Sequence, residues 1–427
     1  MRQSFLLRCL LLVVFGIGAI PSNPIEGASM NPLSEIKTKL AFSCVHEQIP
    51  GASAETEELF QYARWLQKSN LLKQNKVVDL EIERLYRVAA ENGHYRANIN
   101  LQNGGMRGHF KLRGDEHLRL SQQLIEVGVA TGYYFVGVFL QQGAAGLKQD
   151  QEMSLRYYRM AADQGSAQAQ YVVGDKLAPI RIAPDIARQM RRCAAEQGNG
   201  EAAVALGVDL KNEGRYPEAL EAFQMGVMGG DESAAGRLDE AFRGPPASNR
   251  MYHLGQQKDL ERADRYKTIW RMLAGYSYAN PKVPEINEIL PLPPAKLPAW
   301  DGKLQWLEAH LANVPPPKPS EALITQLAKA KLLDPATGQG LPGSPAFSQS
   351  HLSAPNGYSG QICPLSGYWE VGLLCWGDSL RDGNGARYFK QGDVFPTVWI
   401  ERYHSRLWPF SDKVTQREQA VEWCLLS

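Results

Sequence analysis

The chain has 427 residues, with 46 lysines and arginines against 45 aspartates and glutamates, for a formal net charge of +1. At roughly 150 residues per domain, this length suggests two to four domains. Because the chain is nearly neutral, it has no overall positive field, and its composition argues against nucleic acid as a partner.

Residues 1–28 are predicted to be a targeting segment. A short basic start containing Arg2 and Arg8 is followed by an apolar run from Cys9 to Ile20. A run of this length is typical of a secretory signal peptide and is short for a membrane span. We therefore expect a periplasmic location, and an uncleaved amino-terminal membrane anchor is the alternative.

Residues 33–75 are predicted to form N-terminal capping helices. Apolar side chains recur at helical spacing between Glu57 and Gln67, and Trp65 is expected in the core. An amphipathic helix here can cover the end of a helical stack, which otherwise exposes an apolar face.

The segment 76–245 contains an internal repeat marked by glycines that stand 32 to 39 residues apart, namely Gly93, Gly132, Gly165, Gly198 and Gly230. Three of them follow similar strings, Ala89-Ala90-Glu91-Asn92, Ala161-Ala162-Asp163-Gln164 and Ala194-Ala195-Glu196-Gln197. Glycine adopts the left-handed conformation that ends many helices. A repeat of helix, glycine stop and second helix predicts a stack of helical hairpins, an α-solenoid.

The repeat resembles a known family. The string from Arg156 to Gly165, followed by Ala167, Ala169 and Gly174, resembles Sel1-like repeats, which are related to tetratricopeptide repeats. This resemblance implies a module that binds other proteins. The copy around Gly132 departs from the pattern, because Tyr133, Tyr134 and Phe135 replace small residues.

Residues 250–335 are predicted to be a helical and proline-rich domain. Its proline-rich string runs from Pro291 to Gly302 and reads PLPPAKLPAWDG. Proline fixes φ and lacks a backbone donor, so we expect an extended strap across the solenoid. The string resembles an uncharacterised domain that often follows Sel1-like repeats in bacterial proteins.

Residues 336–360 are expected to be a linker, and residues 361–427 a small antiparallel β module. Strand-like runs at 367–371 and 397–402 and a tight-turn signal at Asp382-Gly383-Asn384-Gly385 support the β assignment. The string from Cys363 to Trp369 resembles a module of bacterial antitoxin-like proteins encoded beside type VI secretion effectors.

The chain has six cysteines. A disulfide is predicted between Cys363 and Cys375, which enclose a short loop. Cys44 and Cys193 form a second candidate pair, but the favoured interpretation is that Cys193 is a small buried apolar residue. There is no Cys-x-x-Cys spacing, so no metal site is expected.

Catalytic motifs are missing from the sequence. There is no His-Glu-x-x-His, no Gly-x-Ser-x-Gly and no phosphate loop. His109, Asp115, Glu116 and His117 form a local cluster that we interpret as solvated loop residues. We expect neither enzymatic activity nor a cofactor.

The fold expected is therefore mainly α, a Sel1/tetratricopeptide-like α-solenoid with a small C-terminal antiparallel β module. Its resemblances imply an immunity protein that neutralises a cognate type VI secretion effector, a phospholipase of the phospholipase D type. A periplasmic scaffold or regulatory adaptor of envelope proteins is the alternative, and a hydrolase of cell-wall fragments is a weaker one. Aromatic and arginine side chains dominate protein interfaces. The candidate partner-binding residues are Tyr133, Tyr134, Phe135, Trp369, Trp376 and Arg402.

Overall fold

The computed structural model describes residues 40–179, 183–347, 356–364, 366–372, 374, 378–381, 386–404 and 413–425. The predicted targeting segment, Cys375, Trp376 and the tight turn at 382–385 lie outside the described residues. All contacts reported below lie within the unit that begins at Ala41.

Helices fill most of the chain up to residue 330. In chain order they are α1 (Ala54–Asn70), α2 (Lys76–Glu91), α3 (Tyr95–Met106), α4 (Gly114–Glu126), α5 (Thr131–Gln142), α6 (Gln151–Asp163), α7 (Ala167–Leu177), α8 (Pro184–Glu196), α9 (Gly200–Asn212), α10 (Tyr216–Gly229), α11 (Glu232–Phe242), α12 (Leu260–Gly275), α13 (Ile286–Ile289), α14 (Gln305–Ala312) and α15 (Glu321–Ala330).

Consecutive helices from α2 to α11 pair as hairpins, each with a left-handed glycine between its two helices. These glycines are Gly93, Gly128, Gly165, Gly198 and Gly230. The prediction of a stop at Gly132 is wrong, because Gly132 lies inside α5. A Cβ there would stand 2.6 Å from the Ser121 carbonyl oxygen, so Gly132 allows α4 and α5 to pack closely.

The second helix of most hairpins begins with a side-chain cap. His94, Ser166, Asn199 and Asp231 each accept a hydrogen bond from a backbone N–H in the first turn that follows. Such caps satisfy donors that the start of a helix leaves unpaired. Helix α5 has no such cap of its own, since Ala130 stands at its N-cap.

The hairpins pack through small side chains. Ala89, Ala162 and Ala202 are fully buried, and larger rings such as Tyr86 and Phe223 fill the space between neighbouring helices. One apolar cluster joins the first helices with α15, and a second joins α9 to α14.

Residues 41–48, here called the amino strap, cross the turns of several hairpins in a non-helical conformation. The Ala41 carbonyl accepts a hydrogen bond from Arg159 at 2.6 Å, and the Val45 carbonyl accepts one from Gln170 at 2.8 Å. Within the segment expected to form capping helices, residues 54–70 are helical (α1), whereas residues 41–53 have no regular structure up to the start of α1.

Residues 290–304, which follow α13, form a second crossing without helix or strand, as expected from their prolines. The Leu290 carbonyl accepts a hydrogen bond from Gln224 at 2.8 Å, and the Ala295 carbonyl accepts one from Arg262 at 2.9 Å. Both donors lie on helices of the second apolar cluster. The segment is thereby fixed against α10 and α12.

The chain then returns to the first helices. Within α14, Trp306 contacts Tyr276 at 5.8 Å between ring centroids, and just after α14 the Asn313 carbonyl accepts a hydrogen bond from Trp65 at 3.3 Å. Helix α15 contacts α2, where Arg84 pairs with Glu321 at 2.6 Å. The expected linker is partly wrong, because Gly338 packs against α2 within 2.8 Å of Arg87 Cβ when its own Cβ is built.

The β module has strands β1 (Asn356–Tyr358), β2 (Gly367–Val371), β3 (Asp378–Leu380), β4 (Ala386–Phe389), β5 (Val398–His404), β6 (Lys413–Gln419) and β7 (Glu422–Leu425). Two antiparallel sheets have the orders β1-β7-β2-β4 and β3-β5-β6. Their shared core contains Trp369, Phe389, Phe395 and Trp423.

Candidate functional site

Three of the predicted partner-binding rings are buried in the protein's own core. Tyr134 and Phe135 face inward from α5. Trp369 on β2 is fully buried, with its ring centroid 4.8 Å from that of Phe395. Aromatic density was the reason for predicting them, but it does not distinguish an interface from a core, because large rings also dominate cores. As contacts for a partner, these three predictions are wrong.

The other three predicted partner-binding residues are Tyr133, Arg402 and Trp376. Tyr133 remains half-buried at the surface, 6.2 Å from the Tyr157 ring centroid. Arg402 donates to the buried Asp378 carboxylate at 2.7 Å, and Arg417 donates to the same carboxylate at 2.6 Å. Arg402 therefore has a structural partner within the β module. Trp376 lies outside the described residues.

A pair of exposed aromatic side chains includes the residue just before the predicted Trp369. Tyr368 and Tyr388 are direct cross-strand neighbours on β2 and β4, with ring centroids 5.3 Å apart in an edge-to-face arrangement. They are 61% and 55% exposed. We call this pair the tyrosine face; it borders β4, which has no strand partner on its outer side among the described residues.

Strand alternation explains why sequence reasoning missed this pair. Successive side chains on a strand point to opposite faces, so Trp369 inside requires Tyr368 outside. Every position from Tyr368 to Val371 except Glu370 is apolar or aromatic, so the pattern alone does not reveal which face is buried. If one residue of the strand were known to lie in the core, the alternation would assign all its other residues to a face.

A cavity of about 430 Å³ lies where α11 and α12 meet the loop before α12. Trp270 and Met251 contribute exposed apolar surface, and Arg237 lines the cavity beside them. The Arg237 Nε is buried without a hydrogen-bond partner among the described residues. Burial lowers the pKa of Arg237, which stacks over Phe223 at 5.8 Å. Asp239 and Glu240 line the same cavity, so carboxylates of the chain itself lie close to Arg237.

The cluster interpreted as solvated loop residues is partly a core network, and that interpretation is wrong for two of its members. Glu116 and His117 lie in α4 and are buried. Glu116 pairs with Arg87, which also pairs with Glu83 at 2.9 Å. Burial and the nearby Arg87 lower the pKa of His117 to about 3. His117 is fully buried, and its Nδ1 lies 3.3 Å from Gln102 Oε1, so this contact links α4 to α3.

The amino strap is covalently attached to the hairpins. Cys44 forms a disulfide with Cys193 on α8, across a sequence separation of 149. The favoured interpretation of Cys193 as an unpaired apolar residue is therefore wrong. The predicted Cys363–Cys375 pair stays a prediction, because Cys375 lies outside the described residues.

Glu47 of the amino strap contacts the start of α5. Its carboxylate accepts hydrogen bonds from the Thr131 backbone N–H at 2.5 Å and from the Thr131 hydroxyl at 2.9 Å. Burial raises the pKa of Glu47, and the bonds from Thr131 oppose that rise. The strap thus caps α5, the second helix of its hairpin, whose own N-cap is an alanine.

The hairpins and their Ala-Ala-x-x-Gly turns confirm a Sel1-like α-solenoid. A family model described as a domain of unknown function (DUF6396) matches residues 234–342 and contains the expected proline-rich block. No curated protein matches the chain. No helix among the described residues is long and apolar enough to cross a membrane.

Several solved structures are similar to this chain. "Pseudomonas aeruginosa 5086 (PA5086)" shares 26% identity over 59% of this chain and 95% of its own, with a TM-score of 0.46. Immunity protein PA5088 from Pseudomonas aeruginosa shares 22% identity over 59% of this chain and 94% of its own, with a TM-score of 0.47. A Sel1 repeat protein from Oxalobacter formigenes shares 20% identity over 50% of this chain and 94% of its own, with a TM-score of 0.35.

Proposed function

We propose that this chain is an immunity protein, which binds a cognate toxic effector and blocks its activity. The effector proposed is a phospholipase of the phospholipase D type delivered by type VI secretion, and the encounter takes place in the periplasm. The tyrosine face is the observation that carries the binding role. The sequence resemblances of the repeats and of the β module give the role its direction.

The tyrosine face has the properties of an interface centre. Tyrosine offers a large apolar ring and a polar hydroxyl at a low cost in side-chain entropy. Tyr368 and Tyr388 already hold each other edge-to-face, and Trp369 and Phe389 fix the strands beneath them. Little conformational freedom is lost when a partner docks there.

Co-expression tests the proposal. The chain is produced with each secreted effector encoded beside it, and survival is scored against the effector alone. Protection by the wild-type chain supports immunity, and the double variant Tyr368→Ala/Tyr388→Ala should lose it. Tyr278→Ala is the matched control, because Tyr278 is exposed but lies in the helical part. Its protection should equal that of the wild type.

Two further measurements address the finer parts of the proposal. Phospholipid hydrolysis by the purified effector should stop at equimolar amounts of the chain, and cell fractionation should recover the chain from the periplasm. The absence of protection against every neighbouring effector would contradict immunity. Recovery of several envelope proteins on an affinity column, without a toxin, would favour the scaffold alternative.

A further inference from the structure

The attachment point of the amino strap contains more than a disulfide. Cys44, His46 and Cys193 bring their sulfur and nitrogen atoms within 4.8 Å of one another. Glu196 lies beside this group, with its carboxylate 3.6 Å from His46 Nε2 and 3.9 Å from Cys44 Sγ. The two sulfurs of the disulfide, one imidazole and one carboxylate thus lie close together.

The spacing of these residues follows from the two elements that hold them. Cys44 and His46 are two apart on an extended strap, so both point to the same side. Cys193 and Glu196 are three apart on α8, so both lie on the same helix face. The strap passes over α8, and the two pairs therefore face each other.

We propose that the reduced protein binds one zinc ion through Cys44, His46, Cys193 and Glu196. Zinc takes four ligands of these types in a tetrahedron, with bonds of about 2.0–2.3 Å. Such bonds place the ligand atoms about 3.3–3.8 Å from one another. The His46–Glu196 and Cys44–Glu196 separations of 3.6 and 3.9 Å are close to this range, whereas the two sulfurs are bonded to each other in the oxidised protein and separate only on reduction. The cation also neutralises the two thiolates and the carboxylate.

The oxidised and the metal-bound forms are alternatives. A phosphine reductant supplies two electrons to the Cys44–Cys193 bond; with one water it becomes the phosphine oxide, and the two sulfurs take up protons as thiols. Zinc then displaces these two protons when it binds. His46 and Glu196 are 45% and 41% exposed, so the ion reaches the site from solvent. The strap is held against α8 in either state.

Cobalt(II) provides a direct probe of the site. The full chain is reduced with a phosphine, freed of metal, and titrated with cobalt(II). We expect a thiolate-to-cobalt charge-transfer band and the visible bands of a tetrahedral ion, saturating at one ion per chain. Zinc should abolish these bands, and the oxidised protein should show none.

Variants separate this site from other thiols. Cys44→Ser should remove the charge-transfer band, and Cys424→Ser should keep it. His46→Ala and Glu196→Gln, both at exposed positions, should each weaken zinc binding by at least about tenfold, since even residues that only orient ligands are worth that much. Circular dichroism verifies that each variant is folded.

Two results would overturn the proposal. One is a reduced, folded wild-type chain without the cobalt bands, and the other is bands that survive in Cys44→Ser. Zinc affinity unchanged in both His46→Ala and Glu196→Gln would equally remove the four-ligand site. A zinc-dependent rise in the melting temperature of the reduced wild-type chain, missing in His46→Ala, would support it independently.

Discussion

Glu47 caps a helix that begins 84 residues later in the chain, through hydrogen bonds to the backbone and hydroxyl of Thr131. The equivalent helices of the other hairpins carry their own capping side chains just after the glycine stop. Glu47 replaces a cap that the irregular repeat lacks. Its role is therefore tied to the position of the amino strap.

Glu47→Ala should lower the free energy of unfolding by about 1 kcal/mol, the usual cost of losing an N-cap. Gln48→Ala is the control, because Gln48 is an exposed neighbour on the same strap. Urea denaturation of both variants and the wild type measures the effect. Equal stability of the two variants would contradict the capping role.

The contact between Gly165 and the amino strap leads to a second prediction. Gly165 has φ +107°, and a Cβ built there would stand 2.6 Å from the Glu47 backbone nitrogen. Gly93 has φ +85° but no atom within 4 Å of its built Cβ. Both substitutions to alanine incur left-handed strain of about 1–2 kcal/mol, but only Gly165→Ala also displaces the strap.

We therefore expect Gly165→Ala to be more destabilising than Gly93→Ala by a further 1–3 kcal/mol or so, the usual cost of overpacking. Thermal unfolding of the two variants gives the comparison. If both lose the same stability, the strap does not depend on the missing side chain at Gly165.

The Cys44–Cys193 disulfide should contribute strongly to stability in metal-free buffer. It closes a loop with a sequence separation of 149. The chain-entropy model gives about 5 kcal/mol for a loop of this size. Cys44→Ser should lose a comparable amount, measured by chemical denaturation with a chelator present, whereas Cys424→Ser should leave the midpoint nearly unchanged.

His117 should make the stability of the protein fall in acid. Burial and Arg87 lower its pKa to about 3 from the ordinary value of 6.5, so the folded state resists protonation more than the unfolded state. The stabilising contribution is present above pH 6.5 and is lost as the pH falls toward 3. Between these values, the wild type should lose up to about 1.4 kcal/mol per pH unit relative to His117→Gln.

The measurement compares denaturation midpoints of the two proteins across this pH range, so that carboxylates common to both cancel. A difference in stability that stays constant with pH would show that His117 does not titrate differently in the folded chain.

Trp369 and Tyr368 should differ sharply although they are adjacent. Trp369→Ala removes a fully buried ring and should cost about 3–5 kcal/mol, opening the β module to proteolysis. Tyr368→Ala removes an exposed ring and should change stability by no more than about 0.5 kcal/mol. Limited proteolysis followed by mass spectrometry distinguishes them, and similar digestion of both variants would contradict the assigned faces.

Local patterns revealed the repeats but not what crosses them. Helical periodicity and left-handed glycines are properties of short windows, so the hairpins could be predicted from positions such as Gly165 and Gly198. The helix stop wrongly predicted at Gly132 has a steric explanation. A glycine that admits a neighbouring helix looks the same in sequence as one that ends a helix.

The long-range contacts had no such local signature. Nothing near Cys44 indicates that Cys193 lies beside it, since the contact depends on the stacking of the intervening hairpins. The same holds for Glu47 and Thr131. The tyrosine face was hidden for a different reason, because Tyr368 and Trp369 are similar residues and only a reference to the core assigns them to opposite sides.

Helix α14 has a consequence for how the molecule would respond to load. Its Trp306 rests on Tyr276 near one end of the hairpin stack, and the residue that follows it bonds Trp65 at the other. Stacks of helical hairpins normally flex like a spring, because each unit touches only its neighbours. Helix α14 joins the two ends of the stack and would oppose that stretching and twisting. The distance between the two ends would therefore be fixed before a ligand binds.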